Sequence, residues 1–130
     1  MSASLSQIGQ IAVNVHDLER AVSFYQEVLG LPLLYQFPPN LAFFDAAGVR
    51  LMLSLPEDPQ FDHPGSILYF KVDDIQSAWS ALREGGADLI REPLLVARMP
   101  DHDLWVASFK DPDGNTLALM SEVRVSSPSP

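Results

Sequence analysis

Apolar and polar residues follow the same order in the two halves of the chain. Residues 13–30 contain an alternating apolar stretch, an aspartate, and apolar residues at helical spacing, and residues 70–87 repeat this order. The two segments align with an offset of 57, which places Asp17 on Asp74. An aspartate directly before a helical pattern is a preferred N-cap, and a glycine follows each pattern where a helix would end. Each half is therefore predicted to contain a strand followed by a helix.

A second repeat covers the ends of the two halves. Residues 43–53 and 109–120 both run from phenylalanine through aspartate and glycine into an apolar stretch, and Asp45 aligns with Asp111 at an offset of 66. The sequence Asp-Pro-Asp-Gly suits a type I turn, so we interpret this motif as a hairpin turn rather than a catalytic site. Each half then has the order strand, helix, strand, strand, strand, which predicts an α+β fold. The predicted strands are residues 8–15, 32–36, 41–45 and 49–55, then 66–72, 87–91, 105–110 and 116–121.

The offset rises from 57 to 66 because the second half has nine extra residues, all within residues 91–105. Long loops in compact domains often contribute to binding. We predict that the extra residues form a loop beside a ligand site, with Met99 above a pocket lined by His102 and Trp105. The alternative is that Trp105 anchors a strand in the core and that His102 lies at the surface.

Length and composition suggest how the chain is organised. A chain of 130 residues, 47% of them hydrophobic, suits a single compact unit or two small modules that share one core. With the repeats, we predict one domain over residues 1–125, built from modules at about 6–56 and 65–122. Residues 126–130 are only serine and proline, and we expect them to be disordered. No apolar run approaches the roughly 20 residues of a membrane span, and the first residues lack the features of a secretion signal. The expected location is the cytoplasm.

Charge and cysteine content exclude several function classes. The formal net charge of −9 argues against nucleic acid and against anionic membranes, because both require a basic surface. The charge serves solubility alone, or it indicates a preference for a cationic or neutral ligand. The absence of cysteine excludes disulfides, thiolate metal ligands and a cysteine nucleophile.

Three segments together resemble the vicinal oxygen chelate superfamily, which includes glyoxalase I, bleomycin-resistance proteins and extradiol dioxygenases. They are VHDLERAVSFYQEVLGLPL (15–33), FKVDDIQSAWSALREGGA (70–87) and DPDGNTLALM (111–120). The resemblance covers residues 8–121 and implies a single glyoxalase-like domain. Its fold would be two βαβββ modules whose curved mixed sheets enclose a cavity, and its assembly a homodimer.

The resemblance also implies where a metal would bind. In the metalloenzymes of the superfamily, ligands come from the start of the first strand and the middle of the fourth strand of each module. These positions correspond to Gln10, Met52, Ile67 and Ala118. Only Gln10 offers an oxygen, a thioether prefers soft ions, and isoleucine and alanine have no lone pair. We therefore expect no metal and no other cofactor.

Strand alternation supports this assignment. It places Ile11 and Leu68 on the face that packs against the helices, because the opposite register would bury polar groups at a cost of roughly 1–3 kcal/mol each. The other face would line the cavity, and there Arg50, Tyr69 and Lys71 could polarise a carbonyl group without metal. The predicted ligand-binding residues are Gln10, Met52, Ile67, Tyr69, His102, Trp105 and Ala118.

The three histidines offer little to build a metal site. His16 lies at a strand–helix junction, where a capping or solvent-facing role is expected, and His63 lies in the exposed segment between the modules. His102 is flanked by Asp101 and Asp103, but in an extended chain these carboxylates point away from the imidazole.

Two functions from different classes follow, and a third is weaker. The first is a glyoxalase- or bleomycin-resistance-like protein that binds a small organic molecule in a metal-free cavity. The second is a divalent-metal-dependent lyase, isomerase or dioxygenase of the same superfamily with altered ligands. The third is a module that binds only a partner protein, which the small and polar residues of the cavity face disfavour.

Overall fold

The repeated sequence pattern corresponds to a repeated fold. A computed structural model describes residues 2–125, and the chain divides into two compact units with their boundary between Gly65 and Ser66. The predicted tail at residues 126–130 lies outside the described residues. Both units have the predicted order of one strand, one helix and three strands, so the α+β prediction is confirmed.

The first module is a four-stranded mixed sheet with one helix. Its strands lie in the order β1-β4-β3-β2, in which β1 is parallel to β4 and the other pairs are antiparallel. A short 3₁₀ turn follows β4. The elements are β1 (Gln10–Asn14), α1 (Leu18–Ser23), a π-helical turn (Phe24–Val28), β2 (Leu33–Phe37), β3 (Leu41–Ala46), β4 (Val49–Ser54) and the 3₁₀ turn Pro59–Phe61.

The second module repeats this arrangement with longer strands. Its order is β5-β8-β7-β6, again with the first strand parallel to the last. The elements are β5 (Leu68–Lys71), α2 (Ile75–Glu84), β6 (Asp88–Arg98), β7 (His102–Lys110) and β8 (Thr116–Arg124). Neither helix described in residues 2–125 has the length and hydropathy that a bilayer crossing requires.

Alternation along the strands separates a helix-packed face from an open face in each sheet. In the first module Phe44 and Leu53 are fully buried, together with Tyr25 from the helix. In the second module Phe109 and Leu117 are buried in the same way. These are the faces predicted to be apolar, so the register deduced from the sequence is confirmed within each module.

The aspartates singled out in the sequence act as caps and turn residues. Asp17 accepts a hydrogen bond from the N–H of Arg20 at the start of α1. Asp74 accepts from the N–H groups of Gln76 and Ser77 and from the Ser77 hydroxyl at the start of α2. The Ser77 N–H and then the Ser77 hydroxyl lower the pKa of Asp74, because both donate to its charged form.

The turn before the last strand of each module is also built on an aspartate. Asp111 is 97% buried, with 3% exposed, and accepts from the Asp113 N–H and from both the backbone and side-chain nitrogens of Asn115. The equivalent Asp45 accepts from the Gly48 N–H at 3.0 Å. Gly114 has φ +83°, a conformation that L side chains rarely adopt. The motif is therefore a structural turn, as predicted.

The two helices differ by one residue in length. From the N-cap Asp17 to the left-handed Gly30 the chain advances one residue more than from Asp74 to Gly86. The first helix accommodates this residue by widening over Phe24–Val28, where the N–H of Leu29 donates to the carbonyl of Phe24, five residues earlier. A π-turn of this kind absorbs a single insertion while the residues on both sides keep their faces.

The structure corrects the prediction of a long loop at residues 91–105. Strand β6 continues to Arg98 and strand β7 begins at His102, so only three residues separate the two antiparallel strands. Alternating half-buried and exposed side chains in the segment Leu94–Ala97 explain the extension, since this pattern suits a strand rather than a loop. The extra residues lengthen a hairpin, and Met99 lies in its turn with its N–H bonded to the His102 carbonyl.

Candidate functional site

The open face of the first module carries a cation whose hydrogen-bond partners are neutral groups. Because β1 pairs with β4 and β4 with β3, Arg50 lies between Gln10 and Asp45 on neighbouring strands. The Nε atom of Arg50 donates to Oε1 of Gln10 at 2.8 Å, and its Nη1 atom donates to the Tyr35 hydroxyl at 3.0 Å. The guanidinium carbon lies 5.2 Å from the centre of the Phe43 ring, within cation–π range.

Three aromatic rings form a cluster beside this arginine. Tyr35 lies 5.1 Å from Phe43 and 5.5 Å from Phe37, measured between ring centres, and Phe37 lies 6.2 Å from Phe43. Tyr35 is 45% exposed and Phe37 56% exposed, so this aromatic triad (Tyr35, Phe37 and Phe43) presents ring surface to solvent. Exposed aromatic groups next to an oriented polar group are typical of small-molecule sites.

Two of the predicted ligand-binding residues belong to this face. Gln10 and Met52 are neighbours across the β1–β4 pair, and Nε2 of Gln10 lies 3.7 Å from the Met52 sulfur. Gln10 therefore uses its oxygen for Arg50 and its nitrogen for a weak contact with Met52. Its orientation is set by the protein.

Three others lie together at the start of the second module. Tyr69 is paired with Ala118 on the open face of that sheet, and Ile67 immediately precedes β5. Tyr69 and Ile67 are exposed, whereas Ala118 is only 2% exposed. Ala118 thus offers little surface to a ligand in comparison with its two neighbours.

His102 and Trp105 lie on opposite faces of the second sheet. Trp105 is paired with Ser121, in the same row as the buried Ala107 and Phe109, whereas His102 starts the alternate row. The two side chains therefore cannot line one pocket on a single face of this module. Contact of either residue with a ligand stays a prediction.

His102 lies among charged neighbours. Its Nδ1 atom is 2.7 Å from Asp101, and its Nε2 atom is 3.4 Å from Glu122, which also pairs with Lys71 at 3.3 Å. The hydrogen bond from His102 is the main cause that lowers the pKa of Asp101. Asp101 lies in the turn before β7 and not in an extended strand. Its carboxylate can therefore reach the imidazole, whereas an extended chain was expected to point the two side chains apart.

A separate pocket of about 470 Å³ opens at the start of α1 in the first module. Its lining includes Asp17, Glu19, Gln36 and Leu55. His16 also lines the pocket, and its Nε2 atom is 2.9 Å from a carboxylate oxygen of Asp62. None of the predicted ligand-binding residues lines this pocket.

Comparison with known proteins identifies the family. The family model of the Glyoxalase/Bleomycin resistance protein/Dioxygenase superfamily, which describes the sequences of its members, matches residues 7–119. The chain belongs to this superfamily. It is 30% identical to a lactoylglutathione lyase of Haemophilus influenzae over 121 residues, covering 83% of this chain and 87% of that protein.

Solved structures agree with this assignment. A member of the glyoxalase superfamily from Sphaerobacter thermophilus is 27% identical with a TM-score of 0.73, covering 91% of this chain and 98% of that one. TnmS3, an antibiotic binding protein from Streptomyces sp. CB03234, is also 27% identical, with a TM-score of 0.72. The match covers 93% of this chain and 99% of TnmS3. The predicted glyoxalase-like fold is confirmed.

The four side chains predicted to occupy the superfamily's metal-ligand positions do not fit a divalent ion. The single oxygen donor among them, on Gln10, already accepts the Arg50 hydrogen bond, and Met52 offers only a thioether. Ile67 and Ala118 have no donor atom. Within residues 2–125 no group of three or more histidine, aspartate or glutamate side chains is placed to hold a metal. The absence of a metal stays a prediction.

The aromatic triad was not predicted from the sequence. The prediction included Arg50 on the open face, but it did not name Tyr35, Phe37 or Phe43. Phe43 could have been found, because the alternation that buries Phe44 turns its neighbour to the other face. Tyr35 and Phe37 were harder to place, since the pairing of β2 shifts between Leu33 and Tyr35.

Proposed function

We propose that the protein binds a small organic molecule, without metal, on the open face of its first module. The observation that carries this proposal is the guanidinium of Arg50, held by two neutral partners beside three partly exposed aromatic rings. A polar anchor with a preset direction next to apolar ring surface is what a small organic ligand requires.

The arrangement is preorganised for binding rather than for a metal-assisted reaction. Gln10 and Tyr35 fix the guanidinium before any ligand arrives, so little side-chain freedom is lost on binding. The likeness to TnmS3, an antibiotic binding protein, supports a binding role in the same fold.

The likeness to a lactoylglutathione lyase supports the second candidate, a metal-dependent lyase, isomerase or dioxygenase. The donor chemistry at Gln10, Met52, Ile67 and Ala118 disfavours it. Metal analysis of purified protein, together with ligand binding in the presence of a chelator, distinguishes the two. Protein without stoichiometric metal that still binds its ligand would support metal-free binding.

A thermal-stability screen of varied small molecules, run in EDTA, tests the proposed site. A ligand that binds the folded state raises the unfolding temperature. We expect hits with wild-type protein that are lost in Phe37→Ser and retained in Leu94→Ser, a matched change at an exposed apolar residue of the second module. Hits that survive Phe37→Ser, or that require added nickel or zinc, would contradict the proposal.

A further inference from the structure

Arg50 forms no ion pair with any described acidic side chain of its own module. Over residues 2–65, no carboxylate lies within ion-pair distance of the guanidinium. Asp45 is opposite Arg50 on β3, but its Oδ1 atom accepts from the Gly48 N–H. In a protein with a formal net charge of −9, this guanidinium is hydrogen-bonded to an amide and a phenol and lies beside the Phe43 ring, without a carboxylate partner in residues 2–65.

The hydrogen-bonding capacity of Arg50 is only partly used. Its Nε atom donates to Gln10 and one N–H of Nη1 donates to Tyr35, while no described residue of its module accepts from Nη2. Both terminal nitrogens therefore have N–H groups left for a ligand. Two such donors in one plane match the two oxygens of a carboxylate.

The aromatic triad lies directly beside these donors. Tyr35 belongs to both features, because its hydroxyl accepts from Arg50 and its ring packs against Phe37 and Phe43. The guanidinium carbon lies 5.2 Å from the Phe43 ring centre, so one small molecule can reach both the terminal nitrogens of Arg50 and the rings of the triad.

We propose that the ligand recognised by this face is a planar aromatic carboxylate. Its carboxylate accepts hydrogen bonds from the terminal nitrogens of Arg50, and its ring packs on the exposed rings of Tyr35 and Phe37. This inference rests on the proposed function and adds the chemical class of the ligand.

Local charge at the site opposes the preference expected from the overall composition. The net charge of −9 serves solubility alone or indicates a cationic or neutral ligand, but a cation on this face would approach the guanidinium directly. A neutral ring would leave the Arg50 donors covered and unpaired, which is unfavourable. An anion is attracted by the guanidinium and also accepts hydrogen bonds from its donors.

The test compares three probes of one shape and different charge: naphthoate, naphthamide and naphthylmethylammonium. Binding is measured by isothermal titration calorimetry in EDTA. We expect naphthoate to bind wild-type protein at least about tenfold more tightly than naphthamide, because its hydrogen bonds with Arg50 are charge-assisted. The ammonium probe should bind most weakly.

Variants of the arginine separate charge recognition from packing. Arg50→Gln should abolish the preference for naphthoate over naphthamide, and Arg50→Lys, which keeps the charge but loses the planar donor pair, should retain part of it. Arg83→Gln removes the same charge from an exposed position on α2 and should leave the preference unchanged.

The outcomes distinguish this inference from the proposed function. If naphthamide or the ammonium probe binds as tightly as naphthoate, or if the preference survives Arg50→Gln, the carboxylate assignment is wrong. If Phe37→Ser weakens the binding of naphthamide or of the ammonium probe, the result would still support a small-molecule site on this face. If no probe binds and the wider screen in EDTA also has no hits, both the inference and the proposed function are wrong.

Discussion

Gln10 and Arg50 are separated by 40 residues in the chain, and their side chains meet at 2.8 Å. They meet because β1 and β4 are parallel neighbours with these two residues directly paired. At the position predicted to correspond to a metal ligand of the superfamily's metalloenzymes, this protein uses an amide oxygen to hold an organic cation. The cation comes from the protein itself.

Added metal is expected to leave the protein unchanged. Nickel, zinc, manganese or iron should not shift its unfolding temperature measurably, since Gln10 is engaged and the other positions lack hard donors. For comparison, a metal that bound the folded state, present at 100 times its dissociation constant, would add about 2.7 kcal/mol to the free energy of unfolding. One equivalent of metal found by elemental analysis, and lost in Gln10→Ala, would restore the metalloenzyme hypothesis.

The buried turn at Asp111 is expected to stabilise the second module. Asp111→Ala leaves three donors without their acceptor, and should lower the free energy of unfolding by about 2–3 kcal/mol. Trp79 and Trp105 both lie in this module, so urea unfolding followed by tryptophan fluorescence reports on it. The matched change Asp45→Ala removes one such bond in the first module and should cost about 1 kcal/mol, measured by circular dichroism. Equal effects of the two variants would contradict this account.

Removing the inserted residue of the first helix is expected to be tolerated. Deletion of the exposed Gln26 lets the π-turn return to α-helical bonding, and the free energy of unfolding should change by less than about 1 kcal/mol. Deletion of Ser80 from α2 is the control. It would rotate Leu82 out of the core and should cost about 2–5 kcal/mol. A large loss of stability from the first deletion, seen in urea unfolding, would show that the π-turn is required.

The cap of α2 predicts a specific pH dependence. The pKa of Asp74 is lower in the folded state than in the unfolded state, so its ionised form stabilises the fold above about pH 4 and this contribution is lost as the pH falls further. Asp74→Asn removes the charge. The difference in free energy of unfolding between wild type and variant should have its full value near pH 6 and should shrink below about pH 4. Urea unfolding at each pH measures it. A difference that grows on acidification would have the wrong sign.

Much of the fold could be predicted because it depends on local signals that occur twice. Asp17 and Asp74 cap helices, Asp45 and Asp111 close turns, and alternation sets which side of each strand is buried. The extension of β6 and β7 could not be predicted in the same way, since the segment has no equivalent in the first module. Whether Leu94 belongs to a strand or a loop depends on its partner Val106, which lies beyond the turn.

The candidate site was only partly predictable for a related reason. The positions of Gln10, Arg50 and Met52 follow from alternation on two strands whose alignment is clear. The hydrogen bond from Arg50 to Tyr35 depends on a third strand, β2, whose pairing contains an irregularity. Periodicity in one strand carries no information about such a shift in its neighbour.

The parallel pairing of β1 with β4 also has a consequence for synthesis of the protein. Gln10 is made 40 residues before its partner, so β1 must wait until the other strands of its module have been completed. Closing so long a loop is an unfavourable and slow step compared with forming the neighbouring hairpins. We therefore expect the bond between Gln10 and Arg50 to form late in folding, so that a molecule held by the guanidinium would recognise the finished module and not its folding intermediates.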